Sequence, residues 1–357
     1  MRLGLVRRGF SGTGGAEAYL RRFAEAARAA GHECVLFASG RWPTGSWTGE
    51  VVRLPGHTPR AFADALKDAN PRSRCDFLFS LERVWECDAY RAGDGVHAAW
   101  LERRAGPWWS RLVRHFQRKH RDTLALEKAL FTGGARGIIA NSAMVRDDII
   151  TRFSTPAEKI TVVHNGVPPW RDQPGLREET RARLGLAPGQ YTLLFAGSGW
   201  ERKGLRFALE AMHLVPNAVL LVAGRGKRRG LPKCDAARFL GPQSGDEMRG
   251  PLAAADAFVL PTLYEPFSNA CLEALAAGLP VITTTANGFA EIIEPDVEGE
   301  VLTDPRDTAA LGAALSAWSD PAKREGIRAR LLEKGARYSI EANVARTLKF
   351  LEAQSIT

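Results

Sequence analysis

The sequence predicts an α/β protein of two consecutive domains, each a parallel sheet with helices packed on it. Three observations carry this. Short apolar runs alternate with amphipathic segments along most of the chain, as strands followed by crossover helices do. Glycines gather where a predicted strand hands over to a helix, at Gly12-Thr13-Gly14-Gly15 and again over Gly199–Gly204. A proline-rich break, Val167-Pro168-Pro169-Trp170 followed by Pro174-Gly175, interrupts the alternation, which then restarts. Parallel strands joined this way take right-handed crossovers.

In chain order, Leu3–Val6 is the first strand. The glycine turn leads into a helix over Glu17–Ala30, with Tyr19, Leu20, Phe23 and Ala27 apolar and Gly31 as its stop. Cys34–Ala38, Val51–Leu54, Phe77–Leu81 and Gly137–Asn141 are further short strands. Beyond the break, Thr192–Gly197, Ala218–Ala223, Ala257–Leu260 and Pro280–Thr284 are strands. Gly204–Leu214, Asp246–Ala255 and Ser268–Ala277 are helices, and the tail from Asp307 is helical. The domains are expected at 1–168 and 169–340, the first completed by a C-terminal helix at 341–357.

Composition narrows the class. The 357 residues suit two cores of ordinary size, and 45% hydrophobic with 25% charged residues is a globular balance. No apolar run approaches the ~18–20 residues that span a bilayer. Met1–Val6 is cut short of a signal-peptide core by Arg7-Arg8-Gly9. Cys34, Cys75, Cys87, Cys234 and Cys271 are scattered without C-x-x-C spacing, which fits reduced thiols and no structural zinc. The expectation is a cytoplasmic protein, neither secreted nor integral to a membrane.

The formal charge of +9 is informative where it is concentrated. Arg103 to Arg121 holds seven Lys/Arg, two His and no acid. There Trp109, Leu112, Val113 and Phe116 recur at helical spacing, while Arg111, Arg114, Arg118 and Arg121 form another face behind Trp108-Trp109. A basic amphipathic helix with tryptophan suits an anionic membrane surface, at about 1 kcal/mol per cation near the leaflet. A structural helix with a solvated basic face is the next account, and nucleic acid the third.

Nucleotide fingerprints are incomplete. Gly12 to Glu17 lacks the third glycine of G-x-G-x-x-G, and Leu205 stands where a Walker A loop has lysine, so neither a dinucleotide dehydrogenase nor a P-loop ATPase is supported. Glycines before a helix still let backbone approach an anion, and a plain tight turn fits equally. Arg202 and Lys203 follow a strand of the second domain, at the sheet edge where open α/β folds bind ligands. They suit a pyrophosphate, though on this segment alone a solvated pair is the simpler account. Glu265 lies in the loop before the helix, and Glu273 lies about two turns on, among Ala270, Leu272, Ala274, Leu275 and Ala276. A carboxylate there needs hydrogen-bond donors, either sugar or ribose hydroxyls or an arginine from another element.

Glu265 and Glu273 stand in an E-x7-E arrangement, and the segment from Pro261 to Thr284 resembles retaining glycosyltransferases of the GT-B fold, family 4. The resemblance extends over Gly14-Gly15, Asn165-Gly166-Val167, Gly197 to Lys203 and Ala223-Gly224, most of the chain. It implies two Rossmann-like domains facing across a deep cleft, the first binding acceptor and the second a nucleotide sugar. It implies that Glu265 contacts donor sugar hydroxyls near the reacting carbon and that Glu273 holds the ribose. Arg202 and Lys203 would meet the donor pyrophosphate, with backbone at Gly14 and Gly15 and helix N–H groups at Phe267-Ser268-Asn269. No D-x-D occurs, so no divalent metal and no cofactor beyond the co-substrate are expected.

Within family 4 the chain is most similar to the lipopolysaccharide core glucosyltransferase I group, through Tyr90 to His97 and Leu126 to Phe131. The resemblance places Asp94 at the acceptor and, less firmly, His97, for which a hydrogen-bonded cleft or core histidine fits as well. The implied catalytic set is Asp94, Lys203 and Glu265. The implied activity is retaining transfer of glucose from UDP-glucose to a lipid-anchored saccharide at the inner face of the cytoplasmic membrane. Front-face attack and double displacement both remain open. The rival donors are GDP-mannose and UDP-GlcNAc. A nucleic-acid-binding protein using residues 103–121 is the different-class rival, and the Arg202, Lys203, Glu265 and Glu273 set argues against it, so nucleic acid is not an expected partner.

Overall fold

Leu3, Leu5 and Val6 have no exposed surface, and around them the first sheet is built. The structure, a computed structural model, describes residues 1–10, 15–40, 42–43, 45–104, 118–243 and 245–355. The first sheet contains β1 (Arg2–Val6), β2 (Glu33–Ser39), β3 (Val51–Leu54), β4 (Phe77–Ser80), β5 (Cys87–Ala92), β6 (Ala135–Ala140) and β7 (Ile160–Val162). Its order is β3-β2-β1-β4-β5-β6-β7, every pairing parallel. The second contains β8 (Thr192–Ala196), β9 (Val219–Ala223), β10 (Ala237–Gly241), β11 (Ala257–Val259), β12 (Val281–Thr284) and β13 (Gly299–Leu302). Its order is β10-β9-β8-β11-β12-β13, again parallel throughout. Each order reverses direction beside its first strand, the position where doubly wound sheets open a binding crevice at their carboxyl edge.

Four of these strands lie outside the sequence expectation. β5, with sequence CDAYRA, carries charges inside a fully buried strand. Asp88 can be buried because its carboxylate accepts from Leu78 N (2.7 Å) and pairs with Arg72 (2.6 Å) and Arg136 (3.3 Å). β7 has three residues, and β10 and β13 are edge strands whose side chains are mostly half-buried, so none shows a long apolar run. The helix expected over Asp246–Ala255 is shorter, Arg249–Ala254. The one expected over Gly204–Leu214 is Leu205–Ala211 followed by a single 3-10 turn. The helical tail is three helices, Thr308–Ala317, Pro321–Ala336 and Ile340–Ser355, the first two started by the Asp307 and Asp320 caps.

The chain divides into two units, Met1–His164 with Ile340–Thr357, and Asn165–Ser339. The second therefore begins a few residues before the expected break at 168. Val167 sets this: it is buried in the second core, and its N–H donates to Tyr338 O at 3.0 Å. Likewise the C-terminal helix packs Val344, Leu348 and Leu351 into the first core, and Thr347 Oγ1 lies 3.3 Å from Tyr19 OH.

Candidate active site

In the second unit, β8 leads through Gly197-Ser198-Gly199 into one helical turn, Trp200–Lys203. Gly197 has φ 147°, and a Cβ there would come within 2.4 Å of Lys203 Cδ. A side chain at Gly197 would therefore occupy the space of the lysine stem. Arg202 O accepts from Leu263 N (2.9 Å) and Thr262 Oγ1 (2.8 Å), and Arg202 Nη1 donates to Tyr264 O at 3.1 Å. These bonds tie the turn to the loop that carries Glu265. Glu265 Oε2 consequently lies 2.9 Å from Lys203 Nζ and 3.0 Å from Arg202 Nη1, with the Glu265 side chain only 10% exposed. Both cations thus converge on a single carboxylate oxygen.

The Glu265 loop is clamped from a second direction. Its N–H donates to Ala286 O and its carbonyl accepts from Gly288 N, both at 2.9 Å. Asn287, buried, accepts from Ser268 N (3.2 Å) and Phe289 N (3.1 Å) and donates to Thr283 Oγ1 (3.0 Å). The sequence reading missed Asn287; the Asn-Gly pair after a buried strand is the turn signal that could have found it. Ser268 caps the helix Asn269–Ala276 through Cys271 N at 3.2 Å. Asn269 Oδ1 accepts from Asn165 Nδ2 at 2.7 Å. Phe267 packs edge-on against Phe289 in the core.

Glu273 lies just over one turn along this helix, half-buried. Burial pushes its carboxyl up to about 7, against the opposing pull of the Lys203 charge. Lys203 thus acts on both carboxylates of the E-x7-E pair. The structure brings Arg202, Lys203, Glu265 and Glu273 together at the carboxyl edge of the second sheet.

In the first unit, Asp94 follows β5 with its side chain 72% exposed, 3.8 Å from Arg83 Nη1. Arg83 Nη2 donates to Gly95 O (2.7 Å) and to Glu127 Oε1 (3.2 Å). Glu127, with no exposed surface, also accepts from His97 N (2.7 Å) and Ala98 N (3.0 Å), capping the helix His97–Arg103. His97 Nε2 and His120 Nδ1 are 2.9 Å apart with stacked rings. Arg83, Glu127 and His120 had no assigned role in the sequence. They are supplied by chain segments far apart, and no local pattern announces them.

Gly14, Trp108, Trp109, Arg111 and Arg114 lie outside the described residues. Gly15 begins the helix Gly15–Ala29, and Arg118 and Arg121 are exposed on the helix Arg118–Ala129. Among the described residues, no cluster of three or more His, Cys, Asp or Glu could hold a metal ion, and no helix is long and apolar enough to cross a membrane.

Two parallel doubly wound sheets, with paired cations and an E-x7-E pair at the carboxyl edge of the second, define a glycosyltransferase of the GT-B fold. Residues 13–171 match the family model described as Glycosyltransferase Family 4, and residues 190–320 the model described as Glycosyl transferases group 1. The chain belongs to this family. It is 26% identical over 335 residues to the lipopolysaccharide glucosyltransferase WaaG of Escherichia coli, covering 85% of each chain. It is 32% identical over 177 residues to an uncharacterised glycosyltransferase of Methanocaldococcus jannaschii, covering 45% of each. The chain spans about half the length of several curated relatives it matches, from 45% to 59%. The crystal structure of WaaG shares the fold with a TM-score of 0.80 at 22% identity, covering 98% of this chain and 99% of that one. Anabaena HepE in complex with UDP-glucose gives 0.73 at 17% identity, covering 99% and 100%.

Proposed function

We propose that this enzyme transfers glucose from UDP-glucose to a lipid-anchored saccharide, with retention of configuration, while bound peripherally to the inner face of the cytoplasmic membrane. One observation carries the reading: Lys203 and Arg202 converge on Glu265, with Glu273 on the helix that follows. The two cations neutralise Glu265. A donor diphosphate competes for them, and its arrival frees the Glu265 carboxylate for the sugar hydroxyls beside the reacting carbon. Glu273 then meets the ribose. The cations stabilise the negative charge that grows on the leaving diphosphate, a preorganised electrostatic contribution typically worth ~3–4 kcal/mol per contact. No divalent metal is required by this arrangement of charges. Asp94, exposed in its own unit beside Arg83, is the acceptor-side carboxylate, with His97 next to it.

Likeness to WaaG, named a lipopolysaccharide glucosyltransferase, supports the glucose donor and the glycolipid acceptor, and the HepE complex supports UDP-glucose. The test is a donor panel. The enzyme is incubated with UDP-glucose, UDP-GlcNAc and GDP-mannose, and released nucleotide is measured with and without glycolipid. UDP-glucose turnover above the others, and an α-linked product by NMR, are the expected results. Preference for GDP-mannose or UDP-GlcNAc overturns the donor assignment, and a β-linked product overturns retention.

A further inference from the structure

Between β9 and β10 the chain runs Arg225-Gly226-Lys227-Arg228-Arg229-Gly230-Leu231-Pro232-Lys233, five cations in nine residues with no acid. All five cations are exposed. Arg228 lies over the Phe239 ring at 4.1 Å, but among the described residues Arg225, Lys227, Arg229 and Lys233 form no ion pair with a carboxylate. Asp235, the nearest acid along the chain, offsets one charge of the five. Fold stability gives no reason to concentrate like charges here, since mutual repulsion costs free energy.

The loop is stitched to the turn that carries Arg202 and Lys203. Gly199 N donates to Arg225 O (3.1 Å), and Arg225 N donates to Ser198 Oγ (3.2 Å). Gly226 lies flat on the Trp200 indole, where a Cβ would come within 2.3 Å of the ring. Trp200 in turn packs on Phe239, the ring under Arg228, with centroids 5.5 Å apart. Farther along, Arg206, on the helix that follows Lys203, donates to Gly230 O. The loop is therefore fixed beside the Arg202–Lys203 turn at Arg225 and Gly226, on the carboxyl edge of the sheet, and from there runs back toward the start of β10.

We infer that the Arg225–Lys233 loop is an electrostatic capture surface, which draws the nucleoside diphosphate of the donor out of solution and steers it onto Arg202 and Lys203. The inference rests on the reading of that turn as the diphosphate site. A cluster of one sign beside a binding site raises the local concentration of an oppositely charged ligand and its association rate by roughly 10- to 1000-fold. Rim charges of this kind act on association and salt dependence, whereas contacts in the site act on dissociation. The same charges could attract an anionic leaflet, but the backbone stitching joins this loop to the diphosphate turn.

The test uses the full chain and stopped-flow tryptophan fluorescence with UDP and, separately, GDP, since the steering acts on the diphosphate whatever the base. The variant is Lys227→Gln, Arg229→Gln and Lys233→Gln together, all exposed, so folding is retained and is checked by circular dichroism. At an ionic strength of ~0.01 M, where the Debye length is about 30 Å, the association rate should fall about tenfold with the dissociation rate unchanged. At ~1 M salt, where it is about 3 Å, variant and parent should coincide. An unchanged association rate at low salt overturns the inference. So does a faster dissociation rate at constant association rate, which would make these side chains direct ligands. Loss of binding to phosphatidylglycerol vesicles with unchanged UDP and GDP association would assign the loop to a membrane instead. Lys203→Ala separates this from failure of the diphosphate reading: if that variant binds UDP or GDP like the parent, the site is wrong, and the steering falls with it.

Discussion

Lys203 Nζ lies 2.9 Å from Glu265 Oε2, although Lys203 ends the helical turn Trp200–Lys203 and Glu265 lies in a loop 62 residues farther along the chain. The contact joins the cation expected at the leaving group to the carboxylate expected at the sugar. On the proposed reading, a donor diphosphate would exchange partners within a set of charges already gathered, so little reorganisation would be needed at the moment of reaction.

Lys203→Ala should reduce turnover by about 10²- to 10³-fold while leaving the thermal transition nearly unchanged. Glu265 keeps Arg202 as a partner at 3.0 Å. Gly197→Ala should act in the same direction, because its Cβ would displace the Lys203 stem. Initial rates with UDP-glucose, alongside circular dichroism, check both. A Lys203→Ala enzyme as fast as the parent would remove the lysine from the mechanism.

Glu273 should make donor affinity depend on pH. Its carboxyl is raised to about 7, so the native state holds a proton that the unfolded chain releases near 4.5. The stabilisation this provides is complete below pH 4.5 and is lost as pH rises through about 7. Ionised Glu273 accepts ribose hydroxyls better than the neutral acid, so UDP affinity should rise between about pH 6 and 8. In Glu273→Gln this rise should vanish, and at pH 8 the unliganded variant should melt higher than the parent. Calorimetric titration at three pH values checks the first point; a flat profile in the parent contradicts it.

Glu127→Ala should destabilise the first unit by about 3–5 kcal/mol, the usual cost of leaving a buried charge without its partner. The substitution strips Arg83 of its closest carboxylate and the His97–Arg103 helix of both N-terminal acceptors. Glu127→Gln keeps an acceptor and should cost less. Urea denaturation of the two variants measures the difference, and equal midpoints for parent and Glu127→Ala would be the contrary result.

The basic segment should bind vesicles containing phosphatidylglycerol or cardiolipin and ignore neutral ones, weakening as salt rises. Replacing Arg111, Arg114, Arg118 and Arg121 by Gln keeps helix propensity and removes the attraction. The variant should lose activity on a membrane-embedded acceptor much more than on a soluble acceptor fragment. Vesicle co-sedimentation as tight as the parent's would make the segment a structural helix.

Much of the fold was legible along the chain because glycines, prolines and apolar runs act locally. The Gly197 to Lys203 turn, the Ser268 cap and the eight-residue helix behind it are each set by neighbours within a few positions. β5 was not legible, because Asp88 and Arg91 break its apolar run; Asp88 is made tolerable by Arg72 and Arg136, residues far from it in the chain. β7, β10 and β13 were not legible because a strand of three residues, or one at a sheet edge, buries too little surface to leave a pattern.

The sequence by itself determined the alternating α/β pattern, the Arg202-Lys203 pair and the spacing of Glu265 from Glu273, since each is a matter of residue order. Only the tertiary structure decided that both cations rest on Glu265, that Asn287 clamps the Glu265 loop and that Glu127 gathers Arg83 and the His97 turn. It also decided that the last helix returns to the first unit. The physical reason is the same in each case. Ion pairs and burial depend on distance in space, and a parallel sheet brings the carboxyl ends of strands far apart in the chain to one edge, where no window of sequence shows them together.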